Sequence, residues 1–153
     1  MNKILFCDVD GTLTDGNIYL SNIGIELTKY SIADGMAFAN LKSDGFTIFI
    51  ISGRKNLSSF FRLRKFGVKK FYFNIKNKEK IVKKILSKLI NAVSFYFGDE
   101  DNDLSAMKLC NYVGSPSNSS EKVKQSSHFI SRFEGGSGAL KDFYDSFVVN
   151  IVK

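Results

Sequence analysis

Near the start of the chain the apolar run KILFC ends in two carboxylates one residue apart, Asp8 and Asp10, followed by Gly11 and Thr12. Two later apolar runs also end in polar groups: FTIFI leads into Ser52, Gly53 and Arg54, and SFYF leads into the acidic stretch Asp99 to Asp103. Lys78 stands near the start of a lysine-rich stretch. Carboxylates, a hydroxyl and an ammonium are what phosphoryl transfer requires. A carboxylate such as Asp8 can attack phosphorus, and the acyl phosphate splits one hard hydrolysis into two easier steps. Asp10, on the same side of an extended chain, can reach the leaving-group oxygen, give it a proton and then take one from water. Clustered anions repel, so the site asks for a hard cation. Mg²⁺ takes oxygen ligands, few of them from protein; Asp8 and Asp99 can offer side-chain oxygens and Asp10 a backbone carbonyl. Ser52 and Lys78, with backbone N–H groups at Gly11, Thr12 and Gly53, would hold the non-bridging phosphate oxygens.

Each of these pieces has a plainer use. An isolated D-x-D at a strand end is commonly a turn or a cap. Asp99, Asp101 and Asp103 have the alternate spacing of a calcium loop, but Leu104 stands where the turn glycine belongs and Cys110 where the bidentate Glu belongs. Lys80 rivals Lys78 as the phosphate-binding lysine. His128, the only histidine, precedes an apolar stretch with no partner pattern and reads as structural. What carries the reading is that four separate segments deliver these groups together.

The elements between them explain how they meet. Short apolar runs of strand length, at 3–7, 46–52, 69–73 and 92–98, alternate with helical patterns at 34–44, 56–67, the lysine-rich stretch and 103–110. NYVG, KVKQSS and HFIS add a weak strand, a short helix and a last strand, and GGSGAL opens a C-terminal helix. Such alternation predicts right-handed βαβ units and a three-layer α/β fold with a parallel sheet, whose ligands bind beyond the carboxyl ends of the strands. The interval at about 15–32 breaks the pattern. NIYL and IELTKYSI around SNIG read as a β-hairpin with a three- to four-residue loop, and two strands alone need a partner, on this domain or on another subunit.

At 153 residues, 44% hydrophobic and 24% charged, the chain (1–153) reads as one soluble domain with a core of its own. No apolar run approaches membrane-spanning length, and Asp8 and Asp10 interrupt the only apolar start that could resemble a secretory signal. Cys7 and Cys110 lack metal or redox spacing and read as buried free thiols, which suits a cytoplasmic location. The net charge of +7 sits largely in KNKEKIVKKILSK. There Ile81, Val82, Ile85, Leu86, Leu89 and Ile90 gather on one helical face, leaving the lysines outward. No nucleic-acid-binding motif and no interleaved aromatics accompany the charge, so an anionic small substrate is the better partner than nucleic acid.

With these residues in place, the chain resembles phosphatases of the haloacid dehalogenase superfamily. Asp8-Val9-Asp10-Gly11-Thr12 matches the first motif, D-x-D-x-T; Ser52 in ISGR the second; Lys78 the third; Gly98-Asp99 with Asp103 the fourth. Asp10 favours phosphate esters, because dehalogenase and phosphonatase branches place another residue there. No interval leaves room for a cap domain. The chain is therefore similar to the capless branch typified by 3-deoxy-manno-octulosonate 8-phosphate phosphatase, with which it shares DVDGTLTDG, the hairpin's G-x-E-L, GRK and GGSGAL. That resemblance implies a Mg²⁺ cofactor, an aspartyl-phosphate intermediate, a supporting role for Asp103, a phosphorylated 2-keto-3-deoxy sugar acid as substrate, and a homotetramer whose hairpins cover neighbouring active sites.

The departures from the branch concern substrate. Ala33 stands before the Asp-Gly that closes the hairpin, and Ser137 and Lys141 lie in the tail, where the branch often has Arg. Arg binds a carboxylate bidentately and Lys does not. Arg54 and Arg62 are the cations left for the sugar acid. The alternatives are a nonulosonate 9-phosphate as substrate, or a non-catalytic oligomerisation or regulatory partner of a sugar-acid cytidylyltransferase. A receiver-type phosphoacceptor domain is excluded, since its acceptor Asp would follow a later strand, where this chain has Ser52.

Overall fold

The computed structural model describes residues 2–152. Its strands are β1 (Asn2–Cys7), a hairpin of β2 (Tyr19–Leu20) and β3 (Glu26–Leu27), then β4 (Phe46–Ile51), β5 (Lys70–Tyr72), β6 (Ala92–Phe97), β7 (Tyr112–Ser115) and β8 (Phe129–Ile130). Six of them form one parallel sheet in the order β5-β4-β1-β6-β7-β8. The helices are α1 (Ile32–Ser43), α2 (Leu57–Lys65), α3 (Lys78–Leu86), α4 (Leu104–Met107) and α5 (Glu121–Ser126). The C-terminal stretch is helical throughout: α6 (Ala139–Phe143), a π-type turn (Tyr144–Val148) and α7 (Val149–Val152).

β1 shows how the layers arise. Its side chains alternate between two buried faces, so the strand reads as a continuous apolar run. Leu5 and Cys7 pack with Ala37, Phe38 and Leu41 of α1, Leu63 of α2, and Leu140 and Phe143 of α6. Ile4 and Phe6 pack on the other face with Val82 of α3, Ala106 and Met107 of α4 and Val123 of α5. Phe6 is fully buried, and removing such a side chain from water contributes about 1.5–3 kcal/mol. The register then sets the site. Cys7 lies opposite Ile50 of β4 and Phe97 of β6, so Asp8, Ser52 and Asp99 leave the sheet at nearly one level. The Asp8 N–H donates to the Phe97 carbonyl at 3.0 Å, holding the first motif beside the fourth.

Several elements differ from the sequence expectation in their bounds. α1 begins at Ile32 rather than Asp34, because the Ser31 hydroxyl caps it by accepting from the Ala33 N–H. The lysine-rich helix stops at Leu86, so Leu89 and Ile90 lie beyond it and Ile90 is 83% exposed. Its lysines do not all face outward, since Lys78 is buried. The helix expected over 103–110 is a 3₁₀ turn (Asp101–Asp103) and the short α4, where the Asp103 carboxylate turns back onto the N–H groups of Asp99 and Glu100. Cys110 is half-buried, whereas Cys7 is buried; both are free thiols. The hairpin turn closes with Ser21 N–H on the Ile25 carbonyl (2.9 Å) around Asn22, Ile23 and Gly24.

Candidate active site

The four predicted segments meet at the carboxyl edge of the sheet. Lys78, only 2% exposed at the first turn of α3, reaches across to Asp8 (2.9 Å) and Asp103 (2.7 Å). Asn77 caps that helix by accepting from the Lys80 N–H; Lys80 itself is exposed, which separates the two rival lysines. One oxygen each from Asp8, Asp99 and Asp103 lies within 4.8 Å of the others, and all three residues are buried.

Asp103 is the hub of this cluster. One carboxylate oxygen accepts from Lys78 Nζ and from the Tyr96 hydroxyl (2.6 Å), the other from the N–H groups of Asp99 (3.3 Å) and Glu100 (3.2 Å). With four donors on it, Asp103 has little lone-pair capacity left for an ion and acts as an orienting group. Asp99 accepts from the Thr12 hydroxyl at 2.6 Å. Gly11 sits so close to Asp99, at φ +78°, that a Cβ would collide with the Asp99 carboxylate.

The electrostatics ask for a cation. Burial, then the neighbouring Asp103 charge, push the Asp8 carboxyl well up against the pull of Lys78, and Asp99 also repels it. Burial likewise pushes Asp99 up to about 6, opposed by the Thr12 hydrogen bond and reinforced by Asp103 and Glu100. Burial would lower Lys78, but the Asp8 and Asp103 charges outweigh it and raise that ammonium. Three buried carboxylates thus face one ammonium. A divalent ion held by oxygen donors fits that charge excess and would reverse the upward push on Asp8 and Asp99.

Asp10 stands at the rim, partly exposed. Burial raises its carboxyl, and the Arg54 guanidinium, at 3.6 Å, pulls the other way. Arg54 also pairs with Glu26 of β3 at 2.5 Å, and Glu26 accepts from the Asn56 amide at 2.6 Å. The hairpin is thereby tied to the loop after β4. Ser52 is buried, and its hydroxyl accepts from the Arg54 N–H at 3.2 Å; Gly53 next to it is exposed. Arg62 is set apart from the carboxylates. It stacks over the Phe66 ring and lines a cleft of 340 Å³ with Leu27, Thr28, Tyr30 and Ser58, between hairpin and α2.

The Gly11 and Thr12 N–H groups, expected to face phosphate, also donate within the turn. The Gly11 N–H donates to Thr14 Oγ1 (3.2 Å) and the Thr12 N–H to the Val9 carbonyl (3.2 Å), both inside the turn. The Thr12 hydroxyl donates to Asp99. His128 takes the structural role expected, its Nδ1 accepting from the Val113 N–H at 3.0 Å. Sequence reasoning missed Tyr96, Glu26 and Asn118. Tyr96 had one signal, a hydroxyl inside an otherwise apolar strand just before the acidic stretch.

No family model matches the chain. Comparison with known proteins nevertheless gives a consistent answer. The 3-deoxy-D-manno-octulosonate 8-phosphate phosphatase KdsC of Yersinia pestis is 27% identical over 145 residues, covering 94% of this chain and 78% of that protein. A Vibrio cholerae structure described as a phosphatase of the same kind is 30% identical with a TM-score of 0.85, covering 92% of this chain and 79% of that one. The Moraxella catarrhalis phosphatase, solved with magnesium, phosphate and KDO, is 26% identical with a TM-score of 0.85, covering 98% and 93%. With a relative 30% identical over most of both chains and of the same fold, the chain belongs to the haloacid dehalogenase superfamily, in the branch of the 3-deoxy-D-manno-octulosonate 8-phosphate phosphatases.

Proposed function

We propose that the protein is a Mg²⁺-dependent phosphomonoesterase acting on a phosphorylated 2-keto-3-deoxy sugar acid, 3-deoxy-D-manno-octulosonate 8-phosphate. The observation that carries the reading is the buried cluster of Asp8, Asp99 and Asp103 answered by the single ammonium of Lys78. The substrate follows from the relatives named above, one of which was solved with KDO.

In this reading an Asp8 carboxylate oxygen attacks phosphorus in line with the ester oxygen. The P–O bond to the sugar breaks, and Asp10 gives its proton to the departing alkoxide. Water then attacks the aspartyl phosphate, Asp10 takes its proton, and phosphate leaves with Asp8 restored. Lys78 holds Asp8 in place and meets the phosphate's negative oxygens, with the Ser52 hydroxyl and the Gly53 N–H beside it. The side chains of Asp8 and Asp99 and the Asp10 backbone carbonyl would hold Mg²⁺, which would supply neutralising charge to the phosphoryl group. Arg54, and Arg62 in its cleft, are the guanidinium groups available to the sugar acid's carboxylate.

The whole chain, 1–153, is read as a single catalytic domain, with the hairpin in place of a cap. Its assembly is read as a homotetramer in which hairpins cover neighbouring sites. The support is a hairpin that exposes Ile18, Tyr19, Leu20, Ile23, Ile25 and Leu27. No helix among the described residues is long and apolar enough to cross a membrane. The two free thiols suit a reducing, cytoplasmic compartment.

Phosphate release should be measured from the octulosonate 8-phosphate, two nonulosonate 9-phosphates and common sugar phosphates, with and without Mg²⁺. Turnover is expected to require Mg²⁺ and to favour the octulosonate. Asp8→Asn should lower kcat by about 10⁴-fold or more and Asp10→Asn by about 10²–10⁴-fold. Preference for a nonulosonate would move the substrate. No turnover of any ester by a chain that binds Mg²⁺ would replace the enzyme with the regulatory module.

A further inference from the structure

Neither the nucleophile nor the ion ligands stand on the loop that follows β7, yet that loop holds two of the loops that carry them. The Asn118 amide Nδ2 donates to the Gly11 carbonyl at 3.0 Å, and its Oδ1 accepts from the Gly135 N–H at 2.7 Å. Two residues on, the Ser120 N–H donates to the Asp99 carbonyl at 2.9 Å. The loop is stiffened by Ser119, whose hydroxyl donates to the Pro116 carbonyl at 2.7 Å. Gly11-Thr12 and Asp99 are themselves joined by the Thr12 hydroxyl at 2.6 Å. The bonds form a closed ring: Asn118 to Gly11, Thr12 to Asp99, and Asp99 back to Ser120.

The geometry of that ring has a chemical consequence. A peptide is planar, so fixing the Gly11 carbonyl fixes the orientation of the peptide that carries Thr12. The N–H of that peptide is held by the Val9 carbonyl at 3.2 Å, so the Asn118 bond secures its other side, at a glycine with φ +78° and no side chain of its own to anchor it. Gly135 on the far side of Asn118 lies so close to the carbonyls of Gly11 and Thr14 that no Cβ fits there. The buckle therefore has a wall behind it. Asn118 itself is exposed and adds nothing to the core, so its hydrogen bonds are its contribution.

We propose that Asn118 is a positioning residue for the metal site: by pinning the Gly11 carbonyl it aims the Thr12 hydroxyl at Asp99 and holds that carboxylate in ion-binding geometry. The inference rests on the reading of Asp99 as a Mg²⁺ ligand. Groups that orient metal ligands change affinity by about 10–100-fold when removed, and Asn118, one bond further out, belongs at the lower end, about tenfold.

The test uses the full chain and Mn²⁺ as probe, with free ion read by electron paramagnetic resonance, for wild type, Asn118→Ala, Thr12→Val and the double variant. Thermal unfolding is followed beside it. Asn118→Ala is expected to raise the Mn²⁺ dissociation constant about tenfold while keeping a cooperative transition, and to have no further effect once Thr12 is Val. Unchanged Mn²⁺ binding in Asn118→Ala, or an effect that persists in full beside Thr12→Val, would overturn the proposal. A wild-type chain that binds no Mn²⁺ would overturn the metal reading and this proposal together; binding by wild type and Asn118→Ala alike would overturn this proposal alone.

Discussion

Asp103 never needs to touch a substrate to matter, because it decides where Lys78 and the Asp99 loop stand. Its four donors include the Tyr96 hydroxyl, buried on β6 and 2.6 Å away. Tyr96→Phe deletes that one hydrogen bond to a charged acceptor and leaves the ring in place. Urea unfolding should show a loss of about 1.5–3 kcal/mol, and kcat should fall roughly tenfold as Asp103 and Lys78 loosen. Most of the charged groups were legible in sequence, since a carboxylate or Ser just after a buried strand has only one edge of the sheet to occupy. Tyr96 was hard to see because a tyrosine in SFYF reads as core, and it is core except for one oxygen. Asn118 and Glu26 were illegible for another reason. Their partners lie far off in sequence, Gly11 and Arg54, and a lone polar residue in a loop or a two-residue strand carries no periodic signal.

Among the elements, the C-terminal helix is tied to the sheet and to α1 by two carboxylates of opposite character. Asp142 accepts from the Ser131 hydroxyl (2.9 Å) and from the Arg132 N–H (2.9 Å) and guanidinium (2.7 Å). Burial pushes its carboxyl up, but those bonds outweigh burial and hold it down at about 2. An unfolded Asp titrates near ~4, so this contribution is whole above pH ~4 and is lost as pH falls from there through 2. Asp34, in the first turn of α1, accepts from the Lys141 N–H at 3.0 Å while its other oxygen is buried without a partner. Burial lifts it to about 6 against backbone N–H bonds from Lys141, Gly138 and Leu140. Its folded form holds a proton more tightly than the unfolded chain, so stability from this group rises as pH falls from 6 towards ~4. Urea midpoints between pH 7 and 2 should lose the first dependence in Asp142→Asn and the second in Asp34→Asn. Strand and helix order was readable from periodicity, whereas the ends were set by caps such as Ser31 and by Asp103 folding back on its own turn.

At the scale of the molecule, one charged edge and one apolar projection lie close together. The hairpin's exposed face and the tie from Glu26 to Arg54 place a sticky surface beside the catalytic rim. Leu20 is 69% exposed and Ile23 75% exposed, so lysine at both positions disturbs no core within the subunit. Sedimentation should show wild type as a tetramer and the Leu20→Lys, Ile23→Lys variant as monomer, with circular dichroism unchanged. A wild type that sediments as a monomer at micromolar concentration would remove the assembly from the reading. The sequence signalled the hairpin's need for a partner through apolar residues on two strands too short to bury them. It could not reveal that Glu26 reaches the loop after β4, because that contact depends on how the hairpin folds over.

The strap of Gly135 and Gly136, pressed against Gly11, Thr14 and Asp15, has a further consequence in the order of synthesis. Asp8 leaves the ribosome well before Gly135, and β8 has already emerged when Gly135 follows. At ~5–20 residues per second, on the order of ten seconds separate the two. By the end of that interval a nascent chain carries every charged group of the site while nothing yet stands behind the Gly11 turn. The turn beside Asp8 is thus backed only after every other segment of the site has been made.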